Sequence, residues 1–200
     1  MFGWTQVVTT QGIGMKIGWA LSENIGKNVI DITTLQEGAP TWGSCSVYGN
    51  YNVDNIICND IKHAERMVNQ NIQSSANLYI PQDNFSVLGN PPNIKTFQGS
   101  FNDGNINFKD DIVTMNIVAS TYDIILLLGF KFTKPKPKDD KLTQHKQLAY
   151  LHNIKTIVES NEDKQFVLVN YKGKLSKEFD DIENLSRDSL ANVLELVQSL

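Results

Sequence analysis

Ten residues, Tyr122 to Lys131 (YDIILLLGFK), constrain this chain more than any others. Ile124 to Leu128 is apolar throughout and lacks the alternation of a strand with one wet face, so a strand there is covered on both sides. Ile124 to Phe130 is also far too short to cross a bilayer, which takes about 20 residues. A doubly covered strand belongs in the middle of a parallel sheet between helix layers. The fold class that follows is α/β, with a mostly parallel sheet, helices on both faces and a loop-rich middle. Ligands in such sheets lie beyond the carboxyl ends of the strands. That rule directs attention to Gly129, Phe130 and Lys131.

The flanking segments agree with this class. Asp110 and Asp111 precede Ile112, Met115, Ile117 and Val118, which reads as a helix with acid at its N-terminus. Leu142 to Ser160 carries Leu148, Leu151, Ile154, Ile157 and Val158 at helical spacing. Gln165 to Val169 (QFVLV) reads as a further buried strand that ends in Asn170, Tyr171, Lys172 and Gly173 at the same ligand edge. A closing amphipathic helix starts near Ser189. Upstream, Asp60 to Ile72 has helical periodicity, and Ala76 to Pro81 reads as a strand stopped by its proline. Residues 81 to 105 read as loop with short strand segments at Asn84 to Leu88 and Ile94 to Phe97. Gln36 to Asp60 reads as a long connection, in which Trp42, Tyr48, Asn50 and Tyr51 either contact a ligand or pack the loop on itself.

The opening stretch, Trp4 to Thr33, is where local sequence suggests a ligand. Thr5 to Thr9 reads as a strand, Gly12, Gly14 and Gly18 as a glycine turn, Met15 to Leu21 as a helix and Asn28 to Ile32 as a second strand. In a dinucleotide-binding βαβ unit such glycines bring backbone N–H groups and a helix N-terminus up to a phosphate. Gly12 and Gly14 are then the phosphate cradle. Asp31, 19 residues after Gly12, stands near the place of the acid that meets ribose hydroxyls. The spacing G-x-G-x-x-x-G departs from the standard fingerprint, and the alternative is that these glycines only punctuate turns.

Other candidates for chemistry are sparse. Asp60 and His63, at i and i+3 on one helix face, could form an acid/base pair or simply a solvated face. His145 and His152 share a face without a carboxylate at metal-ligand spacing, so no metal site is expected. The lysine-proline run Lys131 to Lys141 forbids helix and reads either as a cationic flap over a phosphate or as solvated surface. Cys45 and Cys58 fit no zinc or C-x-x-C spacing and are expected to be reduced thiols, although they could bridge. A net charge of -4 with only Arg66 and Arg187 argues against a dedicated nucleic-acid binder. Two hundred residues fit one α/β domain. The N-terminus lacks a signal-peptide pattern, so a soluble, cytoplasmic protein without membrane association is expected.

The segment VVTTQGIGMKIGWALSENIG resembles the glycine-rich first turn of Rossmann-type proteins, including nucleotide-sugar glycosyltransferases. YDIILLLGFKF with the following helix and QFVLV is similar to the C-terminal half of small Rossmann-like proteins, many of them phage-encoded. The lysine- and asparagine-rich, arginine-poor composition likewise resembles that of AT-rich viral genomes. The resemblance implies a nucleotide- or nucleotide-sugar-binding protein, a small transferase among the options, whose partner is a phosphate-bearing small molecule. The sequence names no cofactor. A second expectation, of another class, is a non-catalytic viral accessory or virion-associated protein that keeps the fold without the chemistry.

Overall fold

The structure, a computed structural model, describes residues 3–11, 14–26, 29–98, 102–103, 106–107 and 110–200. Its strands are β1 (Ile17–Leu21), β2 (Thr41–Ser44), β3 (Asn55–Ile57), β4 (Asn77–Pro81), β5 (Lys95–Phe97), β6 (Asn102–Asp103), β7 (Ile106–Asn107), β8 (Ile124–Leu128), β9 (Gln165–Val169) and β10 (Leu185–Asp188). Apart from the antiparallel pair β6 and β7, they form one eight-stranded sheet in the order β10-β9-β8-β1-β2-β3-β4-β5. Every pairing in it is parallel. The fold is therefore Rossmann-like α/β. Among the described residues no helix is long and apolar enough to cross a membrane.

The helices are α1 (Trp4–Gln11), α2 (Ile32–Gln36), α3 (Cys45–Tyr48), α4 (Ile61–Asn69), α5 (Gln82–Val87), α6 (Asp110–Thr121), α7 (Lys141–Glu159) and α8 (Leu190–Gln198). Their distribution follows from handedness. The chain steps outward from β1 to β5, returns to the centre, and steps outward the other way from β8 to β10. Right-handed crossovers that travel in opposite directions lie on opposite faces. Accordingly Leu35, Ala64 and Phe85 of α2, α4 and α5 pack on one face, together with Trp4 and Val8 of α1 and Val193 of α8. Val113 and Val118 of α6 and Leu151 and Ile154 of α7 pack on the other. Both faces of β8 are thus covered, which is why its five residues show no alternation and are all buried.

The opening of the chain corrects its sequence reading. Thr5 to Thr9 lies in helix α1, because Trp4 and Val8 recur at i and i+4 and both face the core. The Trp4 indole N–H also donates to Asp188 at 3.1 Å. Ile17 to Leu21, expected within a helix, is the central strand β1, buried at every position like β8. An apolar run of five covered on both faces carries no period that separates strand from helix. Gly18, assigned to the glycine turn, is where the Tyr122 ring lies against the backbone of β1. A Cβ there would stand 2.5 Å from the ring.

Further corrections fall in the middle. Gln36 to Asp60 contains β2, α3 and β3, and Asn84 to Leu88 lies largely in α5. The half-exposed β10 had no counterpart in the sequence reading. Asp31 starts α2 as its cap and is not part of a strand. Cys45 and Cys58 are joined in a disulfide with a Cα separation of 5.8 Å, so the expectation of reduced thiols is corrected. The cause is topological: β2 and β3 are parallel neighbours, and each delivers its cysteine just past its carboxyl end.

Candidate functional site

The point where the sheet reverses direction lies between β1 and β8, whose carboxyl ends meet at Leu21 and Leu128. Loops leaving such a pair diverge to opposite faces and leave a crevice at the carboxyl edge, the usual ligand position in open α/β sheets. Ser22 N–H donates to the Leu128 carbonyl at 2.9 Å and keeps the two strands paired to their ends. Gly129 then turns with φ +86°, and a Cβ there would run into the Ile25 side chain. The missing side chain lets the loop after β1 close on the end of β8.

Beyond this junction, toward β9, lies a cavity of about 480 Å³. Ile25, Val29 and Ile30 give its lining an apolar part, and Gly129, Lys131 and Lys172 line it as well. Lys131 and Lys172 are exposed and enter no ion pair among the described residues. Tyr171 is already committed: its hydroxyl accepts from the Phe132 N–H at 3.3 Å and lies 2.7 Å from the Thr133 hydroxyl, while Arg187 stacks over its ring. Asn170, at φ +55°, accepts from the Leu190 N–H and so ties the end of β9 to α8. The cavity therefore has a fixed frame and two cations that are unpaired among the described residues.

On the other side of the junction the carboxyl edge is acidic. The Asp111 carboxylate, buried in the first turn of α6, accepts the Ser22 hydroxyl, the Glu23 N–H at 3.0 Å and the Tyr150 hydroxyl at 3.2 Å. Tyr150 also hydrogen-bonds the Lys131 backbone, so one connected network spans both halves of the rim. Burial pushes both the Asp111 carboxyl and the Tyr150 hydroxyl up from their ordinary values. Asp110 stands beside this network. Burial first, then the Glu23 carboxylate, pushes its carboxyl up to about 6, with Asp111 and Asp60 adding to the effect and His63 opposing it. A carboxyl near 6 can exchange a proton at neutral pH. Among the described residues no three acidic, histidine or cysteine side chains are grouped so as to hold a metal ion.

No protein-family model, curated protein or solved structure matches this chain.

The sequence-predicted residues fall in three places. Gly129 and Lys131 line the cavity beyond the carboxyl end of β8. Asp60 caps α4, its carboxylate accepting from the Lys62 and His63 N–H groups at 2.8 and 3.2 Å. Its geometry is therefore that of a helix cap, while the pair still lies close enough to Asp110 to bias it. Gly14 precedes β1 and lies at the amino edge, about 16 Å from the crevice by the length of a five-residue strand. No helix follows it, so the turn lacks the helix N-terminus that a phosphate cradle uses. Gly12 lies outside the described residues. Asp31 accepts from the Thr33 N–H and from the Thr33 and Thr34 hydroxyls, and these hydrogen bonds hold its carboxyl below the usual range. Gly14 and Asp31 are thus not brought together.

Sequence reasoning passed over Ser22, Glu23, Asp110, Asp111 and Tyr150. The available signal was the acid pair at the head of an apolar helix, which ordinary helix-terminus electrostatics had already accounted for. A larger groove, about 800 Å³, runs along the amino edge past Trp42, Tyr79 and Tyr122. Two pairs of its polar side chains satisfy each other: Trp42 donates to the Tyr122 hydroxyl at 2.8 Å and Asn77 to Asn55 at 2.9 Å. Tyr51 likewise spends its hydroxyl on the Gly26 carbonyl and the Val29 N–H, which favours the packing role for that aromatic.

Proposed function

We propose that this protein binds a phosphate-bearing small molecule of the nucleotide or nucleotide-sugar class at its carboxyl edge and acts on it as a small transferase. The observation that carries this reading is the cavity beside the β1/β8 reversal, lined both by apolar side chains and by Lys131 and Lys172, which enter no ion pair among the described residues. The apolar part of the lining suits a base, and the lysines neutralise phosphate as point charges. The loop after β8 approaches closely because position 129 carries no side chain. Asp110, held near 6, supplies the proton acceptor that a transfer to a hydroxyl needs. The phosphate site thus moves from the glycine turn before β1 to the loops after β1, β8 and β9.

A thermal-shift screen of nucleotides, dinucleotides and nucleotide-sugars at millimolar concentration tests this directly, since a ligand of the native state must stabilise it. At least one is expected to raise Tm, and Lys131→Glu with Lys172→Glu is expected to remove the rise. A flat response from every compound removes the basis of the reading.

A further inference from the structure

The basic residues of this chain are unevenly placed. The loops that leave the carboxyl ends of β8 and β9, residues 129–141 and 170–174, hold seven of its 18 basic residues and two of its 22 acidic ones, so this edge is cationic on a chain of net charge -4. Lys131 and Lys172 line the cavity, whereas Lys134, Lys136, Lys138, Lys141 and Lys174 lie outside its lining. All seven are exposed, and none enters an ion pair among the described residues. The two acids are tied to backbone instead. Asp139 accepts the Lys136 N–H at 2.8 Å, and Asp140 caps α7 through the Thr143 N–H at 2.8 Å.

The two loops form one surface because β8 and β9 are parallel neighbours and the chains that leave them are bonded together. The Thr133 hydroxyl donates to the Lys174 carbonyl at 3.1 Å, and the Ser176 N–H to the Phe132 carbonyl at 2.8 Å. From α7, the Gln144 and Gln147 side chains donate to the Asp139 and Thr133 carbonyls at 2.8 and 3.1 Å. The lysines therefore stand on a fixed platform. Like charges held together repel one another, and an anionic partner relieves that repulsion.

Two exposed apolar side chains flank this platform. Val29, 67% exposed, shares the cavity lining with Lys131 and Lys172 and lies in the loop whose Ile25 and Ile30 pack on one face of the sheet. Leu142, 61% exposed, follows Lys141 in the first turn of α7, which packs on the other face. A nucleic-acid strand is held by rings that stack on its bases and by arginines that read them. Here Phe130 and Phe132 are buried, and Arg187 lies over the Tyr171 ring. Lysines beside protruding aliphatic side chains suit a bilayer instead, with ammonium groups among the lipid phosphates and apolar groups at the acyl boundary. We infer that the carboxyl edge of β8 and β9 docks on an anionic lipid surface. The contact goes beyond the nucleotide reading and does not depend on it. It needs no spanning helix.

Co-sedimentation of the full chain with vesicles of phosphatidylcholine, with and without one-third phosphatidylserine, tests the docking. Binding to the anionic vesicles is expected to be tenfold or more tighter than to the neutral ones, and about 1 M salt, where the Debye length is about 3 Å, should abolish the difference. Lys134→Glu with Lys136→Glu and Lys138→Glu should lower the affinity for anionic vesicles tenfold or more. This variant keeps Lys131 and Lys172, so any response to nucleotides should survive in it. Leu142→Ser, at an exposed position, should weaken vesicle binding threefold or more at unchanged charge. No binding to anionic vesicles overturns the proposal, as does equal binding to both kinds of vesicle or by the triple variant. Unchanged binding by Leu142→Ser also overturns it, since charge alone would then hold the protein. Displacement from the vesicles by a mixed-sequence oligonucleotide at equal phosphate concentration overturns it in favour of nucleic acid.

Discussion

The Ser22 hydroxyl donates to the buried Asp111 carboxylate and ties the carboxyl end of β1 to the first turn of α6, 89 residues later in the chain. Removing one end of this bond is not equivalent to removing the other. Ser22→Ala deletes one donor and leaves Asp111 with the Glu23 N–H and the Tyr150 hydroxyl, a loss of about 1–2 kcal/mol. Asp111→Ala strands three donors at a buried point, a loss of about 3 kcal/mol or more. Urea unfolding of the two variants should rank them in that order, and equal losses would mean that Asp111 does not organise the junction.

Asp110 makes the opposite kind of contribution. Its folded pKa of about 6 lies above the ordinary 3.8, so between those values the native protein holds a proton that the unfolded chain has released. The stability it contributes is complete below about pH 4, is lost as pH rises through 6, and stays lost above that. A shift of about two units corresponds to about 3 kcal/mol. Asp110→Asn is therefore expected to be more stable than wild type at pH 7, with the two converging near pH 4. Urea midpoints across pH 4–8 check this. A carboxyl kept at such a cost fits a group retained for chemistry, because natural proteins give up stability mainly at functional sites.

How far the sequence exposed this arrangement varies with the kind of signal involved. Ile124 to Leu128 announced the sheet because five buried residues in a row admit few other settings, and Gln165 to Val169 did so next to it. Ile17 to Leu21 obeys the same physics. Two glycines upstream and Gly18 within it suggested a turn, and the polar, β-branched Thr5 to Thr9 looked like the missing strand. The structure shows that Trp4 and Val8 decide that segment through tertiary burial. The position of Gly129 and Lys131 at the carboxyl edge followed from strand polarity alone. The acidic half was not, because Ser22, Asp111 and Tyr150 come from three distant elements, the end of β1, the head of α6 and the middle of α7, that only the tertiary fold brings together.

Gly129 and Ile25 should be coupled. Alanine at 129 has to hold φ near +86°, which costs an L-residue about 1–2 kcal/mol, and its methyl also meets the Ile25 side chain. Gly129→Ala is expected to lose about 3 kcal/mol in total. In the Ile25→Ala background the contact is gone and only the backbone part remains, so the double variant should be more stable than the sum of the singles by about 1 kcal/mol. A double-mutant cycle from urea unfolding measures this, and strict additivity would show that the two loops do not touch in solution.

The Cys45–Cys58 disulfide joins the carboxyl ends of β2 and β3 beside the acidic half of the rim. It closes a loop of 13 residues, and a cross-link of that span stabilises a fold by about 3 kcal/mol through the unfolded chain. Cys58 is buried and Cys45 only partly so, which leaves Cys45 as the sulfur that a thiol reductant reaches. Incubation with dithiothreitol is expected to lower Tm by several degrees, and Cys45→Ser with Cys58→Ser should reproduce the drop and abolish any further response. Thiol counting under denaturing conditions gives the independent check: two free thiols in the untreated protein would show that the bond does not form, and the predicted drop would vanish with it.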